Sequence, residues 1–337
     1  MINKMDEIRK QSEKIERETL SPFAALSENS KGRKVFEEPC PMRTEYQRDR
    51  DRVIHSRAFR RLKHKTQVFL APESDHYRTR LTHTLEVSQI SRTVARALRL
   101  NEDLAEAIAL SHDLGHTPFG HAGESALNTI SPVAFTHFEQ SVRVCEKLEK
   151  GGKGLNLTAE VIDGIINHTK GEWAHTAEGK IVRYCDHIAY MNHDIEDAIR
   201  AGVLRFEDIP DDVVKYLGET KTQRITKMVA SLIENTEGLD VKFDDETFFY
   251  YDKLHKFMYE AVYKNPKAKA EEMKVEGIIS GIYEYLVKNP QVMSEEYQKI
   301  CEEEGIDRAV VDYIAGMTDH FAVTTYSNIY IPKFWKL

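Results

Sequence analysis

The stretch SHDLGHTPFGHAGE, Ser111 to Glu124, sets three histidines, an aspartate and a glutamate within fourteen residues. Three glycines and Pro118 interrupt it, so it cannot be one continuous helix. The pattern reads instead as a helix that ends near His112, a turn, and a short helix after Gly120 that carries His121 and Glu124 on one face. His112 and His116 are four residues apart, a spacing that puts both on one side of a helix end. So many titratable, metal-capable side chains around a broken helix point to one chemical site.

Working outward, apolar residues recur at three- and four-residue spacing on both sides of the stretch. Upstream, RLTHTLEVSQISRTVARAL places Leu81, Leu85, Val87, Ile90, Val94 and Leu98 largely on one stripe. NEDLAEAIALSHD then opens on Asn101, an N-cap residue, with acids in its first turn. Downstream, Thr136 and Glu139 form a capping-box pattern ahead of a helix that stops at Gly151-Gly152. TAEVIDGIINH and GKIVRYCDHIAYMNHDIEDAIRAG keep the period, and further helices are expected near 213–235, 246–263, 268–288, 294–304 and 307–317. Strand alternation is scarce, and only QVFLAP, residues 67–72, reads as a piece of a short β-hairpin. The expected fold is all-α, in one globular unit. Its organisation reads as an N-terminal extension over 1–42, a helical core over 43–233, and a C-terminal helical region over 234–337 packed on that core, with the polar stretch 234–247 as a loop.

Composition bounds the function class. The 337 residues are 41% hydrophobic and 30% charged, and no run of eighteen apolar residues predicts a membrane span. The first residues are charged throughout, unlike a signal peptide, and four dispersed cysteines without a C-x-x-C pair point to reduced thiols and a cytoplasmic location. A net charge of −8 argues against a general nucleic-acid binder. One basic island stands out: Arg43 to Lys65 holds nine Arg or Lys against three Asp or Glu. It reads either as a phosphate-binding patch or as a helix face with internal ion pairs.

Other helices offer further donors to the His112-Asp113 pair: His83 on one and Asp186, in VRYCDHIAYMNHD, on another. Two imidazoles and two carboxylates from three helices suit a divalent cation, Mn, Fe, Ni or Zn, or Mg with its taste for carboxylates. In that order the residues form H…HD…D, and the chain resembles the HD-domain phosphohydrolases. TRLTHTLEVSQISR, ALSHDLGHTPFGHAGE and VRYCDHIAYMNHDIEDAI, with DYIAGMTDHFA near the C-terminus, resemble the bacterial deoxyguanosinetriphosphate triphosphohydrolase-like proteins over about residues 40 to 331.

The resemblance implies a hydrolase that cuts a deoxynucleoside triphosphate to deoxynucleoside and inorganic triphosphate, with His83, His112, Asp113 and Asp186 holding the metal. Such a reaction needs a proton for the leaving 5′-oxygen. His121 is the expected donor, with Glu124 orienting it and His116 near the α-phosphate. Arg80, three residues before His83, is expected on the phosphates, since its fork suits them. Tyr190 and Asp194 follow Asp186 at i+4 and i+8, suited to the deoxyribose ring and its 3′-hydroxyl. The resemblance gives Gln67 to that hydroxyl as well. His137 is a further phosphate-facing or proton-handling candidate, although the related pattern H-N-E-Q-S here reads His137-Phe138-Glu139-Gln140-Ser141. Relatives form homo-oligomers and some bind an activating nucleotide, for which Arg43, Arg48 and Arg52 are candidate contacts. The alternatives are another HD-type phosphohydrolase, a monophosphatase or phosphodiesterase, and a non-catalytic nucleotide sensor.

Overall fold

A computed structural model describes residues 4–67 and 78–333. Among them the regular structure is helical, and the only β pairing is three isolated antiparallel bridges, Arg33–Thr158, Thr66–Thr79 and Glu237–Asp240. The fold is therefore all-α, as expected. Beyond Gln67, the expected hairpin piece lies outside the described residues.

The chain forms two interleaved units. The first comprises Met1–Ser56, Thr82–His112 and Leu155–Asn265; the second comprises Arg57–Leu81, Asp113–Gly154 and Pro266–Leu337. These boundaries do not coincide with a linear division at 42 and 233. Helical periodicity reports each helix alone and carries no information on which helices pack together.

At the centre of the first unit runs helix Glu102–Ser111, with Leu104, Ala105, Ala107, Ile108, Ala109, Leu110 and Ser111 all buried. The Asn101 side chain caps it by accepting from the Leu104 amide at 3.2 Å, and Glu102 and Asp103 favour the same end of its dipole. Around it pack helices Glu45–Ile54, Ala159–Ile166 and Ala177–Arg200. Close approach needs Gly164, where a Cβ would stand 2.5 Å from Cδ1 of Ile108.

The part of the basic island that lies in this unit, residues 43–52, is paired with acids. Arg48 pairs with Glu45 at 2.9 Å and Glu37 at 3.0 Å, Arg50 with Asp103 at 2.7 Å and Arg43 with Asp51 at 2.7 Å, while Arg52 holds Glu37 and donates to the Leu155 carbonyl at 2.8 Å. Of its two readings, the internal ion pairs describe residues 43–52.

In the second unit, helices Gly120–Ile130, Pro266–Lys288, Ile306–Ala315 and Asp319–Tyr330 enclose a core that includes Phe119, Leu127, Phe135, Ile279, Ile282 and Ile314. Buried Asp312 is satisfied by Gln140 at 2.8 Å and Arg143 at 2.7 Å, with Arg308 as a third partner. Thr136 does not cap helix His137–Arg143 through its side chain; its hydroxyl donates to Glu139 at 2.6 Å instead. The expected helix at 213–235 is two, Asp211–Leu217 and Lys221–Asn235, broken at Gly218 with φ 119°. No described helix is long and apolar enough to cross a membrane.

Candidate metal and hydrolytic site

The first unit gathers His83, His112, His168 and Asp186, all buried. His83 Nε2 lies 3.0 Å and His112 Nε2 3.7 Å from Oδ1 of Asp186, and the His112 and His168 rings meet edge to face at 4.9 Å. The Nδ1 atoms of His112 and His168 each stand 2.7 Å from the carbonyl three residues back, Ala109 and Ile165. A carbonyl accepts only, so the proton sits on Nδ1 and each Nε2 keeps its lone pair. That is the second-layer arrangement by which ligating imidazoles are oriented. Burial alone would raise the Asp186 carboxyl, but the hydrogen bond from His83 holds it below the usual carboxylate range. His83 Nδ1 is buried with no hydrogen-bond partner among the described residues. Ligand atoms of His112, His168 and Asp186 lie within 4.8 Å of one another. Lone-pair nitrogens beside an ionised carboxylate in a buried cluster fit a divalent transition metal.

The second unit resumes at Asp113, the next residue in the chain, and carries a continuous series of side-chain contacts. Asp113 accepts from Arg80 Nη1 at 2.8 Å, both side chains being buried, and its other oxygen lies 3.2 Å from His116 Nε2. The His116 ring stacks on His137 with centroids 4.0 Å apart. His137 Nδ1 is 3.1 Å from Glu124 Oε2, and His121 Nδ1 is 3.5 Å from the same oxygen. Burial, and next the nearby Arg80 charge, push His116 well below the usual imidazole range, so it is neutral near pH 7. Burial acts to raise Glu124, yet its hydrogen bonds with His121 and His137 hold it below the usual carboxylate range. His121 differs from its neighbours: its side chain is 78% exposed, so solvent can exchange its proton.

The turn that joins these groups has local causes. Gly115 packs so tightly that a Cβ would stand 2.1 Å from the Ser141 amide nitrogen, and its own N–H donates to Ser141 Oγ at 2.9 Å. Phe119 and Gly120 then take left-handed φ values of 64° and 57°, which start helix Gly120–Ile130 in a new direction. His121 and Glu124 share a face of that helix, as their spacing predicted.

The remaining candidates are distributed. Gln67 is half-buried; its carbonyl lies 3.4 Å from Arg80 Nη2, and its buried side-chain oxygen has no partner among the described residues. Tyr190 lies beside the stacked rings of His187, 5.3 Å away, and His255, 6.5 Å away. Asp194 is buried and accepts from the Tyr263 hydroxyl at 2.5 Å. Tyr263 is thus tied to a candidate sugar contact, a link that its remote position in the sequence conceals. Lys256, in the same segment, is exposed and pairs with Asp252 at 2.6 Å. His168 is the residue whose place at the centre the sequence signals least, since its neighbours in INHTKGEW show no ligand spacing.

Residues 80–191 match the model of the HD domain, and residues 241–328 match that of a phosphohydrolase-associated domain. The class these matches define is that of the HD-domain phosphohydrolases. A protein of Caldanaerobacter subterraneus subsp. tengcongensis named deoxyguanosinetriphosphate triphosphohydrolase-like is 53% identical over 97% of both chains. One of Clostridium perfringens with the same name is 49% identical over 97% of this chain and 98% of its own. The chain belongs to this deoxyguanosinetriphosphate triphosphohydrolase-like family of HD-domain phosphohydrolases. A solved phosphohydrolase structure from Bacteroides thetaiotaomicron shares the fold at 17% identity, with a TM-score of 0.52 over 83% of this chain and 67% of that one.

Proposed function

We propose that the protein hydrolyses deoxynucleoside triphosphates to the deoxynucleoside and inorganic triphosphate, with a divalent cation (Mn, Mg, Fe or Ni) held by His83, His112, Asp113 and Asp186. The observation that carries this reading is the contact series from Arg80 through Asp113, His116, His137 and Glu124 to His121, in a chain 53% identical to a relative named for triphosphohydrolysis. When bound, such a cation polarises a phosphoryl oxygen and lowers the pKa of a ligated water.

The side chains account for the rest. Water attacks the α-phosphorus and releases a proton to solvent, the bond from phosphorus to the 5′-oxygen breaks, and His121 gives that leaving oxygen a proton. Glu124 favours the protonated imidazole by hydrogen bonding and ion pairing, and solvent restores the proton after each turnover. With Nε2–H donated to Asp113, neutral His116 presents its Nδ1 lone pair, an atom buried without a partner among the described residues. A triphosphate arriving nearby raises the His116 pKa, and the protonated ring can then donate to a phosphate oxygen. Arg80, already orienting Asp113, supplies positive charge for the same oxygens. Gln67, Tyr190 and Asp194 are assigned to the deoxyribose, and His137 links His116 to Glu124.

The proposal extends to a homo-oligomer that a second nucleotide activates. Arg48 and Arg52 are committed to Glu37 and Glu45, so an activator would bind away from them. Chromatography of the products from each deoxy- and ribonucleoside triphosphate, singly and in mixtures with Mn or Mg, tests the reaction. Tripolyphosphate release is expected; orthophosphate or pyrophosphate as the inorganic product would replace this reading with a different HD-type hydrolysis.

A further inference from the structure

Near the C-terminus of the chain, in DYIAGMTDHFA, stands Asp319, which takes no part in the contact series described above. It opens helix Asp319–Tyr330, and its two carboxylate oxygens face two different segments of its own unit. Oδ1 accepts the backbone N–H of Phe119 at 2.9 Å. Oδ2 accepts the Thr66 backbone N–H at 2.9 Å and the Thr66 hydroxyl as well. The loop's other end is held in parallel: buried Lys65 donates from Nζ to the carbonyls of His116 and, at 2.7 Å, Ala315.

Phe119 is the residue that makes this contact consequential. It adopts φ 64° although it is not glycine, a conformation that persists only where the surroundings enforce it. Its ring is buried in the apolar core and its amide is bound by Asp319, so both sides of the residue are fixed. The next residue begins the helix that carries His121 and Glu124, and the dihedrals of Phe119 set the direction in which that helix starts.

We propose that Asp319 is a positioning residue, which holds the left-handed turn at Phe119 so that His121 meets the leaving oxygen. The assignment rests on the acid role proposed for His121. A group that acts only through the acid must matter when the leaving atom needs a proton and cease to matter when it does not.

The test compares wild type with Asp319→Ala, and with the isosteric Asp319→Asn should the alanine variant fold poorly. Each is assayed on a deoxynucleoside triphosphate and on the analogue whose 5′-bridging oxygen is sulfur, a leaving atom that departs without protonation. With the oxygen substrate, kcat is expected to fall about 100-fold, the scale of loss for a misplaced catalytic group, with KM and Mn affinity unchanged. With the sulfur analogue, variant and wild type should agree within about twofold, because the acid is then idle. Equal losses on both substrates, or no loss on either, would overturn the assignment. Should wild type release no tripolyphosphate from any deoxynucleotide, the proposed reaction fails first. Amide exchange over residues 115–121 then decides the anchoring by itself: faster exchange in the variant supports it, and unchanged protection ends it.

Discussion

His121 and Glu304 show how differently a single side chain can be used. His121 is exposed and paired with the half-buried Glu124 carboxylate, so removing it should cost chemistry and little else. The His121→Ala variant is expected to lose about 10²- to 10⁴-fold in kcat, the usual worth of a general acid, with metal content and thermal midpoint preserved. Full activity in that variant would remove the acid from the scheme. Glu304 has no such part. The hydrogen bond from Arg143 holds its carboxyl down to about 2 against an opposing burial effect, and Lys147 adds to the hold. A depressed folded-state pKa stabilises above the ordinary carboxylate pKa, and the contribution disappears as pH falls through the folded value. Glu304→Gln should therefore melt below wild type at pH 7, and the gap should narrow between about pH 4.5 and pH 2. A gap independent of pH would point to packing rather than charge.

At the scale of elements, the decisive feature is the turn between helices Glu102–Ser111 and Gly120–Ile130. The glycines of GHTPFGHAG announce a turn in the sequence but not the partner that requires them. Gly115 abuts the Ser141 backbone, an atom that cannot swing aside. Gly115→Ala is expected to destabilise by about 1–3 kcal/mol, the range for overpacking, as measured by urea unfolding. A variant as stable as wild type would show that the turn can move. Several helix boundaries were legible from local chemistry: Asn101 caps as its type predicts, and the 294–304 expectation is met by Glu295–Glu304. The Thr136 cap was not, because Glu139 captured the hydroxyl that would have served the backbone. Gly218 split the 213–235 stretch through a positive φ, a backbone conformation that periodicity does not report.

For the whole molecule, the interleaving of the two units matters most. Helix Arg80–Ala97 begins at the end of one segment and continues into the next, and the chain passes from the first unit to the second between His112 and Asp113. A ligand that engages the donors of the folded chain and not of the unfolded one must stabilise the fold by mass action. Thermal midpoints should rise with Mn concentration and fall after chelation, and Asp186→Asn should abolish most of the response. A metal-independent midpoint in wild type would contradict the assigned ligands.

The order His83, His112-Asp113, Asp186, the glycine-broken turn and the three- and four-residue apolar period are one-dimensional facts, and they sufficed for an all-α fold and a metal-dependent hydrolase class. They suffice because helix formation and ligand chemistry depend on residue type and short spacing. The stacking of His116 on His137, the shared carboxylate of Glu124, the place of His168 and the contact of Asp319 with Phe119 were decided by tertiary structure alone. Each joins residues whose meeting depends on how helices pack, and packing is selected by the burial of whole faces, which no local pattern encodes.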